Sequence, residues 1–505
     1  MSTSGTYIDN KNEPVSSETF EQDENWIIKS GHILKNEYLL LKKIGGGSNA
    51  SVWMTYHLFS KKYFAIKIQD YQCYEDGCRE IVIIQKFNEY IKNHSDKEVY
   101  CIEMLDYFVY EIDNGKRFVC SVYPLYAGSL DIILERGKYK YGLPIPVVKR
   151  ITRQLLKTID VLHSELKVIH TDIKPENILF RGTLKYQLKI IELFIFSGFQ
   201  ESFEKLQKTY PDGGEIFWEE VKKLACKSVE EICNLETYIN PEIEYVPDNY
   251  YEMDDDDDII EGEDDDFSNN EDSEWSSDEV DIVNTRKQSV DDLLEFLDYQ
   301  EIHDLEKYYD FVSELNNRAN GKTSDKRELV DDHYILNCQT VLTDFGNSYF
   351  YDKRTRNEIQ DRRYRAPEVI LDLNYGFSCD IWSIGCVVFE LLTGFALFIP
   401  DSEPLTKDIH HLFLMEKMLG PLPLAMKKRS KRSKFLFDKK RNYHLKNVKE
   451  FSITSLRDRL VKQFLFSKED ADEITDFLMC MLKYEPSERL TAKELLNHKW
   501  LNIQD

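Results

Sequence analysis

The ten cysteines of the sequence form no CxxC pair, and no apolar run is long enough for a signal peptide or a membrane span. The first absence argues for buried thiols over a zinc site; together the two imply a reducing intracellular compartment and no membrane. Lys and Arg are missing from Tyr251 to Val283, which holds 17 acidic residues. That stretch supplies most of the net charge of -26 and leaves about -9 for everything else. Runs of this kind read as solvated and disordered, and they disfavour nucleic acid while suiting a basic partner. The remaining chain is ample: 505 residues, 42% of them hydrophobic, exceed one ordinary core and predict a two-lobed domain plus extra material.

The chemistry is concentrated in Ile169-His170-Thr171-Asp172-Ile173-Lys174-Pro175-Glu176-Asn177. Asp172 can accept a proton from a hydroxyl, Lys174 can neutralise phosphate charge and Asn177 can hold a magnesium ion, the order that a protein-kinase catalytic loop requires. Upstream, Ile44 leads into Gly45-Gly46-Gly47-Ser48-Asn49-Ala50-Ser51-Val52, a strand, turn and strand that fit G-x-G-x-x-G-x-V with Ala50 in the third glycine position. Phe64-Ala65-Ile66-Lys67-Ile68 then buries a lysine that needs a partner, for which Glu80 on a helix over 77–87 is the candidate, with Glu75 and Asp76 as competitors. Residues 123–126 read as a hinge whose backbone contacts adenine. A long amphipathic helix over 147–166, with Ile151, Leu155, Ile159 and Leu162 in helical period, delivers the chain to the catalytic loop.

These motifs resemble the protein kinases, most closely the SR-protein kinase family in the CMGC group. The resemblance implies an α+β, bilobal fold: a small β-rich N-lobe at 34–126 and a large α-helical C-lobe at 127–190 and 335–505. A flexible tail occupies 1–33, and an acidic, partly disordered insert occupies 191–334, between two strands of one hairpin. The insert has helix-like ends, notably 290–315. It is tolerated because loop-closure entropy grows slowly with length. The next Asp-Phe-Gly after Asn177 is therefore Asp344-Phe345-Gly346. By the resemblance, Lys67 and Glu80 position the nucleotide, Ile44, Gly45, Gly47, Ala50, Val52 and Ala65 line its site, and Asn177 and Asp344 hold magnesium. Asp380 anchors the catalytic-loop backbone, or serves as a plain helix N-cap. Arg489 pairs with Glu368.

Thr171 stands where nearly all kinases have Arg, a departure shared with the SR-protein and LAMMER kinases. Without that guanidinium no phosphate on the activation segment, 350–360, has a receptor beside Asp172, so activity independent of such phosphorylation is expected. Gly142-Leu143-Pro144-Ile145-Pro146, Asn347 and Arg363-Tyr364-Arg365 point the same way. Asp344-Phe345-Gly346 and Ala366-Pro367-Glu368 are instead the commoner kinase forms, and 411–423 resembles the LAMMER signature. The implied activity is transfer of the ATP γ-phosphate to serines of Arg/Ser-rich proteins by a monomer in cytoplasm and nucleus. A LAMMER-type or other CMGC kinase, and a pseudokinase scaffold, stay open. The family's acidic docking groove would draw on Asp401, Glu403, Asp408 and Glu416, with His410 where the family has an acid. Lys427 to Lys434 reads as a solvated basic loop, with a nuclear-localisation patch or a pseudosubstrate as alternatives.

Overall fold

A computed structural model of the chain describes residues 28–234 apart from 48, 113–114 and 136–138, the pair 243–244, and residues 335–502 apart from 336, 354–357, 402–404 and 450. The tail through residue 27, the acidic run 251–283, the helical pattern 290–315 and Glu403 lie outside the described residues.

The N-lobe is an antiparallel sheet of six strands: β1 (Ile33–Leu34), β2 (Tyr38–Gly46), β3 (Ala50–His57), β4 (Tyr63–Gln69), β5 (Asp106–Glu111) and β6 (Arg117–Tyr123), in the order β1-β2-β3-β4-β6-β5. The run Tyr38-Leu39-Leu40-Leu41 is buried on both faces, because Leu39 and Leu41 enter the main core while Tyr38 and Leu40 enter a smaller one. Helix α1 (Tyr74–Asn93) packs on this sheet through Ile81, Ile84 and Phe87. It extends beyond the expected 77–87 at both ends.

Strand β7 (Tyr126–Ser129) and the six-residue helix α2 (Leu130–Glu135) follow the hinge. Helix α3 (Ile145–Ser164) starts two residues before the expected position because Ile145-Pro146 already suits a first turn. Its Ile151, Leu155, Ile159 and Leu162 are all buried. The turn before it needs Gly142: at φ 104° a Cβ there would lie 2.2 Å from the Leu392 carbonyl oxygen. The Leu392 carbonyl belongs to α8 (Ser378–Thr393), a largely apolar helix buried from Cys379 to Thr393, as the central helix of a large core must be.

After β8 (Val168–Ile169), β9 (Ile178–Arg181) pairs antiparallel with β12 (Thr340–Leu342), so the insert does join two strands of one hairpin. Its described elements begin before residue 191. The chain passes through β10 (Thr183–Leu184), which pairs with β11 (Ile243–Glu244), and through α4 (Lys185–Phe196), α5 (Phe199–Thr209), α6 (Glu215–Ser228) and α7 (Glu230–Cys233). The 190/191 boundary falls inside α4.

The basic stretch 427–434 is helical at both ends and leaves Lys428, Arg429, Lys431 and Lys434 exposed, as a solvated stretch does, while Lys427 and Arg432 turn inward. It spans the end of α10 (Leu424–Arg429), after α9 (Lys407–Leu419), and the start of a short helix, Ser433–Leu436. Lys427 is buried and pairs with Glu416 at 2.7 Å, and Ser430 is buried with its hydroxyl donating to the Leu371 carbonyl. Long basic side chains bury their stems readily when internal acids and carbonyls receive the heads. Arg432 does the same, reaching the Ile370 carbonyl and Asp408.

Candidate active site

Strand pairing fixes where Lys67 stands. In β4 it lies opposite Val52 of β3 and Ser121 of β6, with its ammonium inside the cleft between the lobes. An ammonium there requires counter-charges, and it has two: Nζ donates to both Glu80 carboxylate oxygens at 2.9 and 2.8 Å and to Asp344 Oδ1 at 2.8 Å. Glu80 is therefore the helical acid that reaches the lysine, whereas Asp76 pairs with Arg79. Burial alone would lower the Lys67 pKa, but Asp344 and Glu80 override it and hold the ammonium well above the usual lysine value. The Lys67 charge keeps Asp344 ionised below its ordinary range. Burial pushes Glu80 up, against the pull of Lys67.

Asp344 adopts φ 63°, ψ 67°, a left-handed conformation that is uncommon for an aspartate and marks a functional constraint. The next residue explains how it is held. Phe345 is fully buried between Phe87 of α1 and His170, with ring centroids 5.7 and 5.0 Å away, so α1 and the catalytic loop share one packing point.

Asp172, Lys174 and Asn177 come together. Asn177 Nδ2 donates to the Asp172 carbonyl at 2.8 Å and to Asp172 Oδ2 at 3.2 Å, and the Lys174 ammonium is 3.3 Å from the same Oδ2. Burial pulls the Lys174 pKa down, yet Asp172, Glu176 and Asp361 together raise it. The loop backbone hangs on Asp380 of α8, whose carboxylate accepts from the His170 N–H at 2.7 Å and the Thr171 N–H at 2.9 Å. The side chain lies two residues inside the helix and serves the loop; it is not an N-cap. His170 is fixed by two partners: Nε2 donates to the Thr343 carbonyl and Nδ1 accepts from the Asp172 N–H.

The glycine turn departs in detail from expectation. Gly45 faces Val52 across the β2–β3 ladder, and the Gly47 N–H bonds the Ala50 carbonyl. The glycine that the geometry demands is the intervening Gly46: at φ 144° a Cβ would sit 2.8 Å from the Ala50 oxygen. Nothing in the G-x-G spacing marks that central position. Ile44 and Val52 are half-buried apolar side chains of the N-lobe, Ala65 is buried beside Tyr123, and Leu179 of β9 is a half-buried counterpart in the C-lobe that sequence reading missed.

Beside Asp172 and Lys174 opens a cavity of about 290 Å³, walled also by Tyr349, Glu358, Gln360 and Asp361. Gln360 is the part of this wall that the sequence did not single out for a role. It is buried at φ 68°, and its amide bonds the Cys379 carbonyl, the Ser383 hydroxyl and the Ala366 N–H. Its carbonyl accepts from Arg365. Thr171, where most kinases carry Arg, donates through Oγ1 to the Asn347 carbonyl at 2.8 Å and ties the catalytic loop to the start of the activation segment. Arg489 and Glu368 form a fully buried bidentate pair at 2.7 and 2.6 Å.

Two of the expected docking acids, Asp408 and Glu416, are engaged internally. Asp408 accepts from both Arg362 and Arg432, Glu416 holds Lys427, and His410 Nδ1 accepts from the Asp401 N–H. The groove expected from Asp408 and Glu416 is thus already filled with the chain's own cations.

The donor set fits a nucleotide with a divalent metal. Asp344 offers a carboxylate, Asn177 spends its amide hydrogens on Asp172 and retains its oxygen, and hard metals of this kind take one or two such ligands beside phosphates. Among the described residues no cluster of three His, Cys, Asp or Glu side chains is arranged for a metal, as expected where phosphates complete the shell.

The Protein kinase domain family matches residues 38–243 and 331–501. A putative serine/threonine-protein kinase of Acanthamoeba polyphaga mimivirus is 53% identical over 97% of this chain and 92% of its own. Protein kinase dsk1 of Schizosaccharomyces pombe is 28% identical over 92% of this chain and 80% of its own. SRSF protein kinase 3 of Mus musculus is 26% identical over 94% and 88% respectively.

Proposed function

The chain belongs to the protein kinase family, as a serine/threonine kinase with the split domain of the SR-protein kinases, and from that premise we propose that it moves the ATP γ-phosphoryl group to serines of Arg/Ser-rich proteins, with magnesium, and without phosphorylation of its own activation segment. The observation that carries the reading is the closed Lys67–Glu80–Asp344 triad, formed while Thr171 supplies the link to Asn347.

Asp172 takes the proton of the substrate hydroxyl, held in register by the Asn177 amide. Lys174 balances charge gathering on the transferred group, and Lys67 holds the nucleotide phosphates, kept in place by Glu80. Magnesium on Asp344 and Asn177 would neutralise phosphate charge. The described residues at and beside the two ends of the activation segment are supported by internal contacts: Gln360 on α8, Arg365 on the Gln360 carbonyl, and Arg79 of α1 on the Gly346 carbonyl at 3.0 Å. No phosphate is needed for any of them.

The substrate class is supported by the likeness to SRSF protein kinase 3, at 26% identity, together with the acidic balance of the chain. A LAMMER-like or other CMGC substrate preference is the alternative, favoured by the engaged docking acids. A panel of Arg-Ser repeat, acidic and Ser-Pro peptides tests this: preference for the Arg-Ser peptide supports the proposal, and transfer only to another peptide overturns the substrate class while leaving the kinase. The protein is further proposed to act as a monomer in cytoplasm and nucleus, to be checked by light scattering and by imaging of the tagged chain.

A further inference from the structure

Helices α4 to α7 of the insert grip the nucleotide cleft at two places. At the hinge, Gln187 in the first turn of α4 is buried; its Nε2 donates to the Tyr126 carbonyl at 2.9 Å, and its Oε1 accepts from the Leu184 N–H at 2.8 Å. At the N-lobe, Phe194, Phe199, Phe203 and Phe217 form a run of rings with successive centroids 5.2 to 6.0 Å apart. This run meets the strands directly, since Tyr56 of β3 lies 4.9 Å from Phe194 and its hydroxyl bonds Gln200. Lys61 pairs with Glu204 at 3.2 Å. Lys42 of β2, three residues before the glycine turn, donates to the Ile232 and Cys233 carbonyls at 3.2 and 3.0 Å, where the exposed carbonyl end of α7 favours a cation.

These contacts join elements that the reaction needs held together. The insert springs from the C-lobe hairpin that carries Asn177 at its root, bonds the hinge, and ends on the two strands that flank the glycine turn. We propose that α4 to α7 are a built-in strap that positions the hinge and the β2–β3 strands for nucleotide, with Gln187 and Lys42 as positioning residues. The insert is then not an inert spacer, and its first fifty residues work separately from the acidic run beyond them. The inference rests on the kinase reading only for its activity readout; nucleotide affinity and backbone protection report on it independently.

Gln187→Glu keeps the acceptor for the Leu184 N–H and sets a carboxylate oxygen against the Tyr126 carbonyl, so at nearly constant shape it replaces the hinge bond by a repulsion whose effect is at least the loss of that bond. A neutral hydrogen bond contributes about 0.5–1.5 kcal/mol, which predicts an ATP KM and a nucleotide Kd raised about twofold to tenfold, with kcat within twofold. Lys42→Met should speed amide exchange in 38–57, and Lys42→Arg, which can still reach the carbonyls, should restore slow exchange. Unchanged KM and Kd in Gln187→Glu with unchanged exchange in Lys42→Met would overturn the strap. If no phosphoryl transfer is seen in any form, the Kd and exchange measurements still decide it, and only the functional reading falls.

Discussion

Thr171 holds a left-handed backbone, φ 69°, which a β-branched residue adopts only under constraint, and its hydroxyl bond to Asn347 is part of that constraint. Thr171→Val removes the bond at nearly constant volume. Losing a hydrogen bond of about 1 kcal/mol predicts kcat roughly fivefold lower with ATP KM unchanged, measured by initial rates on one peptide. His411 makes a second residue-scale case. It is fully buried against Phe398, neither ring nitrogen has a hydrogen-bond partner among the described residues, and burial together with Arg362 and Arg365 holds its pKa well below 6.5. The unfolded chain takes up a proton that the folded chain refuses. Stability from this site is therefore complete above about pH 6.5 and declines as the pH falls toward the depressed folded value. His411→Phe should flatten that decline in denaturant titrations between pH 7 and pH 5; an unchanged slope would contradict it.

Among the elements, α8 carries the catalytic loop on Asp380 and offers its Ser378 carbonyl to Arg489, which pairs with Glu368 through side chains that are 0% exposed. Removing one partner of a buried pair leaves an uncompensated charge, so Glu368→Gln should lower stability by about 3–5 kcal/mol in urea unfolding. Asp172, Lys174, Asn177, Lys67, Glu80 and Asp344 were legible in the sequence because each sits in a short motif whose spacing mirrors one strand, turn or helix. The length of α3 and the hairpin that hosts the insert were legible for the same reason. What escaped depends on contacts between residues far apart in the chain. Gln187 meets the hinge, Gln360 meets α8, and Arg362 and Arg432 converge on Asp408. Within the basic stretch the solvated reading holds for Lys428, Arg429, Lys431 and Lys434 but misses two internal pairs, of Lys427 with Glu416, 11 residues earlier, and of Arg432 with Asp408, 24 residues earlier. Gly46 was hidden between two motif glycines.

At the scale of the whole molecule, most of the charge lies apart in sequence from the catalytic motifs, since 17 acidic residues fall between 251 and 283. Deleting 251–283 should change the net charge from -26 to about -9 and leave the rate on a short peptide within twofold, as measured by initial-rate kinetics. The activity proposed for this kinase needs no phosphate on the enzyme itself. The most direct measurement compares phosphatase-treated and untreated enzyme in phosphoryl transfer from magnesium-ATP to an Arg-Ser repeat peptide, with Asp172→Ala as the blank. Equal rates for the two preparations, absent in the variant, are predicted; a treated enzyme that falls to the level of the blank and recovers on rephosphorylation would contradict the claim.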